Sequence, residues 1–130
     1  MVTIFSKIVS GEIPCYKVAE DDRFLAFLDI NPLSKGHTLV IPKIETDYIF
    51  DINDNDYQAF FLFAKRVAKA IDRVVPSTKI GIAVIGLEVA HAHIHLVPQQ
   101  NMGTLNFANP KLKFSTEEFN QIATEIGAAF

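Results

Sequence analysis

The spacing of apolar residues changes several times along the chain, and each spacing predicts an element. Tyr57, Phe60, Phe61, Ala64, Val67, Ala68, Ile71 and Val75 recur at three- and four-residue steps, which draws one apolar stripe along a long helix. Asn53 or Asp54 can cap its start, and Pro76 ends it. Ser115-Thr116-Glu117-Glu118 is a capping-box signature that opens a short last helix, with Phe119, Ile122, Ala123 and Ile126 turned inward. Residues 3 to 10 predict a further short helix, stopped by Gly11 and Pro14.

Elsewhere the rhythm shortens to that of strands. Tyr16 to Ala19 and Arg23 to Ile30 flank the turn signal Glu20-Asp21-Asp22. Asn31 to Gly36 is a loop by composition, and His37 to Ile41 is a third strand closed by Pro42. Lys79 to Ile85 and Val89 to Val97 complete the set, and Asn101 to Pro110 reads as an irregular loop. The expected fold is α+β: residues 1–130 as one domain, with about five antiparallel strands and the long helix packed on the sheet.

Composition narrows the function classes. The 130 residues are 49% hydrophobic and 21% charged, ordinary for a folded domain and unlike a disordered chain. A net charge of -3 without a Lys/Arg cluster argues against binding a nucleic-acid backbone, though not against a small anionic ligand. Cys15 is the single cysteine, so no intramolecular disulfide forms. No stretch has the length of a membrane span, and the N-terminus lacks the apolar run of a signal peptide. The expected location is the cytoplasm, with no membrane partner.

His91-Ala92-His93-Ile94-His95-Leu96-Val97 alternates, and successive side chains of a strand point to opposite faces. Ala92, Ile94 and Leu96 then enter the core while three histidines share the other face. His37, the fourth histidine of the chain, opens another predicted strand. A lone strand histidine is ordinary surface; three at alternate positions are not. Alternate residues lie about 6.6 Å apart, so His91 and His95 are roughly 13 Å apart at Cα. Metal bonds near ~2.1 Å need closer convergence than that. No Asp or Glu interrupts the alternation, and the parity of a regular strand puts Glu88 on the opposite face. Nucleophilic catalysis fits better: only His93 reaches both neighbours, and attack on phosphorus needs donors for the charge that builds on its oxygens. Imidazole, with an ordinary pKa of about 6.5, is a competent nucleophile near neutrality, and the P–N bond it forms is labile to water.

The triad segment resembles the signature of the histidine triad (HIT) family. Thr3 to Ile8, Gly11-Glu12-Ile13-Pro14, Phe24 to Ile30 and Gly36 to Lys43 are similar to that family in the same order, so the resemblance covers about residues 3 to 98. It implies hydrolysis or transfer at the α-phosphate of purine nucleotides, as phosphoramidates or dinucleoside polyphosphates, through a covalent nucleotidyl-histidine. By position it implies His93 as nucleophile, with His91 and His95 orienting it and stabilising phosphate and leaving group, and His37 packing beside them. It further implies Asp29 on the ribose hydroxyls, and Ile4, Phe5, Ile8, Phe27 and Ile30 around the base. A homodimer with sheets joined across the interface is expected, and no cofactor.

Some positions depart from the pattern. Relatives often carry Cys where this chain has Thr3 and Ser6, and there they hold a structural zinc, so no zinc site is expected here. Glu45 stands where histidine is common. The stretch Ala83 to Glu88 is shorter than the usual loop, and Glu88 replaces a Ser or Gln that contacts the leaving group. Three classes stay open at this point: a nucleotide hydrolase, a nucleotide-binding module with little catalysis, and a metal-dependent protein using His91, His93 and His37.

Overall fold

The fold is a computed structural model that describes residues 2–130. Five strands form one antiparallel sheet: β1 Lys17–Glu20, β2 Phe24–Leu28, β3 Thr38–Pro42, β4 Lys79–Ala83 and β5 Ile94–Gln99, in the order β1-β2-β3-β5-β4. Three helices accompany it: α1 Ile4–Ser10, α2 Asp54–Val74 and α3 Thr116–Ala129, with a short 3-10 turn at Ile49–Asp51 that the residue pattern did not announce. The α+β expectation with an antiparallel sheet and one long helix holds.

The capping signals act where the sequence places them. The Asn53 side chain accepts the Asp56 amide at the start of α2, and Ser115 with Glu118 forms the reciprocal capping box of α3. Thr3 caps α1 by accepting the Ser6 amide, and Gly11 closes that helix at φ 86°. At 14 residues, α3 is longer than a short terminal turn.

The two faces of the sheet bury different things. On one face Phe24, Ala26, Leu28, Val40, Ile94 and Leu96 meet α2 and α3. Phe60 of α2 is fully buried and stacks on Phe24 with ring centroids 5.4 Å apart. A side chain of that size contributes roughly 1.5–3 kcal/mol by leaving water. The buried stripe of α2 is wider than the expected one, because Phe63 and Ala70 also face inward where the helix is wedged between sheet and α3. On the other face Leu25, Phe27, Leu39 and Ile41 pack under Phe5 of α1. Strand register continues that second layer: Phe27 lies opposite Leu39, and Leu39 opposite His95.

Several strand ends differ from expectation, and one difference matters. β5 begins at Ile94, so of the three alternating histidines only His95 lies on a strand. Ahead of Ile94 the pairing lapses: the register with β3 ends at Val40↔Ile94 although β3 itself runs on to Pro42, and β4 ends at Ala83↔His95. The Ala92 amide bonds instead to the Thr46 carbonyl at 2.7 Å. Similarly β2 stops at Leu28, leaving Asp29 and Ile30 in the following turn, and His37 sits just ahead of β3.

Gly36 precedes His37 at φ 90°, and a Cβ there would meet Val75 Cγ2 at 3.0 Å. The backbone conformation alone costs an L side chain about 1–2 kcal/mol. Gly36→Ala is therefore expected to destabilise the fold by at least about that amount in urea titration; wild-type stability would contradict this reading of the turn.

Candidate active site

All four histidines gather on the α1 side of the sheet. The rings of His93 and His95 are 5.0 Å apart between centroids, those of His37 and His95 5.2 Å. Phe5 lies edge-on to both His91 at 5.8 Å and His93 at 4.9 Å, and also meets Phe27 at 5.8 Å. The alternation thus places the rings on one face even though two of them precede the strand. They are far less exposed than an outward strand face implies: His37 and His91 are 1% and 0% exposed, His93 and His95 each 7%.

Hydrogen bonds to backbone groups fix which nitrogen of each ring carries the proton, because an amide only donates and a carbonyl only accepts. The Leu33 amide donates to His37 Nδ1 at 3.0 Å. A neutral His37 then bears its proton on Nε2 and gives it to His95 Nδ1, also 3.0 Å away. His95 in turn must carry its own proton on Nε2. The His93 Nδ1–H donates to the His91 carbonyl at 2.8 Å, which leaves the His93 lone pair on Nε2. His91 spends both nitrogens internally: Nε2–H goes to the Pro42 carbonyl at 2.8 Å, and Nδ1 accepts from the Thr3 hydroxyl at 2.9 Å.

Two ring nitrogens are left without a partner among the described residues, His93 Nε2 and His95 Nε2. Ser77 Oγ is the one buried side-chain nitrogen or oxygen there that lacks a hydrogen bond, so both ring nitrogens reach solvent. One offers a lone pair and the other a proton, side by side. His91, by contrast, offers no group to a ligand; its contribution to His93 is a backbone carbonyl.

Burial sets the charge state of the pair behind this opening. It pushes His37 down to about 3, helped by the neighbouring His95, and His95 down to about 4, helped by His93. Burial also lowers His91, against the opposing hydrogen bond to Pro42. Asp29 lies beside the pair, its Oδ2 3.5 Å from His37 Nε2, while Oδ1 accepts the Asn31 amide at 2.8 Å. Burial raises its carboxyl above the usual range, and the nearby Glu88 carboxylate adds to that. Glu88 stands exposed in the bends before His91, outside any strand, so the parity that put it on the far face does not apply.

Asp29, His37 and His95 bring one ligand atom each within 4.8 Å of one another, which is metal-like spacing. The donor set does not fit a metal. The Leu33 amide keeps His37 Nδ1 as acceptor, so a cation on Nε2 would require an imidazolate. A site using His91, His93 and His37 fares no better, since both nitrogens of His91 are engaged. Thr3 and Ser6 present hydrogen-bonded hydroxyls in place of thiolates, which are not a zinc ligand set.

Of the apolar residues expected around a base, Phe5 and Phe27 are buried against the triad layer and Ile8 packs partly on it. Ile4 and Ile30 face solvent, 50% and 63% exposed. Phe107 was not among the expected site residues. Its ring lies edge-on over His95 at 4.8 Å and His37 at 6.3 Å, carried by the loop expected to be merely irregular. That loop is tied down by Leu112 N to the Pro32 carbonyl and by the Lys111 ammonium on the Phe107 and Asn109 carbonyls. A single aromatic among Asn and Gly residues was the only available signal. The 380 Å³ pocket lined by Tyr48, Phe50, Tyr57, Phe61, Ile85 and Leu87 reaches this region only through Ala92.

Comparison with known proteins agrees with the geometry. The family model described as HIT domain matches residues 10–102. An adenosine 5'-monophosphoramidase of Schizosaccharomyces pombe is 38% identical over 130 residues, 98% of each chain. An adenylylsulfatase of Arabidopsis thaliana is 30% identical over 128 residues, 95% of this chain and 64% of that one. Among solved structures, a Hit-like protein of Bartonella henselae superposes with a TM-score of 0.86 at 29% identity, covering 98% of this chain and 96% of that one.

The buried neutral rings predict an acid-sensitive fold. His37 and His95 take up protons near 6.5 when unfolded but only near 3 and 4 when folded. Between those values the unfolded chain holds more protons, so stability rises with pH there and is lost on acidification. His37→Gln removes one of the two groups. Its urea midpoint should vary less steeply than wild type between pH 4 and 6.5, and an equal slope would count against a buried neutral His37.

Proposed function

The chain belongs to the HIT domain family, and from that premise we propose that it is a nucleotide hydrolase or transferase acting at the α-phosphate of purine nucleotides, with His93 as nucleophile. One observation carries the reading: a ring nitrogen with a free lone pair, His93 Nε2, opens to solvent beside a ring nitrogen that bears a proton, His95 Nε2. The relatives acting on adenosine phosphoramidate and adenylyl sulfate support the substrate class.

In the proposed reaction Nε2 of His93 bonds to the α-phosphorus as the bond to the leaving nitrogen or oxygen breaks. The proton on His95 Nε2 lies where it can meet the charge that builds on a phosphate oxygen. The adenylylated His93 ring is cationic, and its Nδ1–H stays on the His91 carbonyl, whose dipole favours that charge. A leaving nitrogen takes up a proton from solvent as it departs, and a leaving oxygen departs as its anion; water then attacks phosphorus, its oxygen stays on the nucleotide, and its protons go to solvent. His93 returns to its neutral form without a cofactor. In this reading Asp29 accepts the ribose hydroxyls and Phe5, Phe27, Ile8, Ile4 and Ile30 line the base; the Asp29 carboxylate beside His37 and the apolar layer of Phe5, Phe27 and Ile8 support it.

A second reading, nucleotide binding with little turnover, draws on Glu88. Its carboxylate is close enough to Asp29 to raise that group, and so to oppose an approaching phosphate. Tight binding of AMP with no turnover of any substrate would favour it.

A homodimer is part of the proposal. β4 has an unpaired outer edge, and Leu62, Ile82, Ile85 and Leu87 expose apolar surface around it, a pattern that a second copy can cover by continuing the sheet. A location in the cytoplasm accords with the lone cysteine.

His93→Ala should lower turnover of an adenosine phosphoramidate by at least about a thousandfold while circular dichroism stays that of wild type. Activity within tenfold of wild type would reject His93 as nucleophile. Light scattering should give twice the 14.5 kDa chain mass, and Ile82→Lys should shift it toward the single chain; a wild-type monomer would end the dimer proposal.

A further inference from the structure

We infer that Thr3, the N-cap of α1, is a positioning residue that holds His93 in its reactive tautomer by acting through His91. The inference rests on the hydrolase reading of His93.

Thr3 is buried, and its hydroxyl is used completely. Oγ1 accepts the Ser6 amide at 3.0 Å and lies 3.2 Å from the Ser6 hydroxyl. Its one proton goes to His91 Nδ1 at 2.9 Å, because His91 already gives its own proton from Nε2 to Pro42. The His91 ring is therefore clamped between the start of α1 and the end of β3. A helix cap needs only an acceptor, which Asp or Asn would supply equally. What sets Thr3 apart is the donated proton, spent on a fully buried ring.

The clamp matters because His91 lies ahead of β5: the peptide that carries its carbonyl is held on one side by the Ala92 amide on the Thr46 carbonyl, and the ring bonds to Thr3 and Pro42 hold the other side. Its carbonyl is the acceptor that keeps the His93 proton on Nδ1. Loss of the Thr3 hydroxyl leaves His91 Nδ1 buried without a partner. The ring can then change tautomer or turn, and the Ala92–Thr46 bond is left as the one hold on the peptide whose carbonyl orients His93. A His93 ring without that acceptor shares its proton between both nitrogens, and only one of the two forms has a lone pair on Nε2.

The test compares Thr3→Val, Thr3→Gly and Thr3→Ser in the full chain. Gly is a tolerable N-cap without a hydroxyl, so it carries the test if the Val variant fails to fold. Val and Gly are expected to lower kcat for an adenosine phosphoramidate by about tenfold to a hundredfold, with KM within about threefold of wild type, and Ser to restore it. Long-range proton–nitrogen spectra of the imidazoles should show wild-type His93 protonated at Nδ1, a mixture of forms in Val and Gly, and the wild-type pattern again in Ser. Unchanged kcat in the hydroxyl-free variants, or His93 still protonated at Nδ1 alone, overturns the inference. So does a wild-type spectrum with His91 protonated at Nδ1, whatever the variants do. If the wild-type chain turns over no nucleotide, the hydrolase reading falls by itself and the spectra still judge Thr3.

Discussion

The Leu33 amide points its hydrogen at His37 Nδ1, and the consequence of that one backbone donor runs through two rings. It makes His37 a donor at Nε2, His95 an acceptor at Nδ1, and so His95 a donor at the opening. A separate bond, His93 Nδ1–H to the His91 carbonyl, leaves the adjacent opening nitrogen as a base. The complementary pair exists only while every ring in the chain is neutral. A second proton on His37 would set N–H against N–H at Leu33. Burial beneath Phe107 and the strands, which pushes His37 and His95 far below their ordinary range, is what keeps the chain intact near neutral pH.

The sheet supplies the rigidity that this requires. Phe27, Leu39 and His95 sit in register across three strands, so a helix-packed core on one face fixes the height of the histidine layer on the other. The tight turn at Gly36 delivers His37 to the same layer. His91 and His93 lie outside the ladder, and side-chain bonds to Thr3 and Pro42 take the place of strand pairing for His91. The site is thus half built on strand register and half on hydrogen-bonded loops.

Much of this was legible in the residues. The stripe from Tyr57 to Val75 and the capping box at Ser115 determined two helices by local periodicity and capping alone. The alternation at His91, His93 and His95 correctly grouped the rings, because extended backbone alternates whether or not it is paired. What could not be read was where pairing ends. The strand drawn back to Val89 begins only at Ile94, because β4 ends at Ala83↔His95 and the register with β3 lapses at Val40↔Ile94 while β3 runs on to Pro42, which is a matter of pairing rather than of the segment itself. The division of labour among the histidines was equally hidden. His91, expected to offer a donor to phosphate, turns both nitrogens inward, and the partners responsible lie 88 and 49 residues away along the chain. Phe107 was missed for the same reason: nothing local distinguishes a loop aromatic that covers two histidines from one that faces water.

The chemistry of the site turns on His93 meeting phosphorus through Nε2. Rapid quenching of the wild-type chain with an adenosine phosphoramidate, followed by mass spectrometry and phosphorus–nitrogen NMR of the trapped peptide, tests it most directly. One adenylyl group is expected, on His93 and bonded at Nε2. An adduct on His91, His95 or His37, or on His93 at Nδ1, would contradict it.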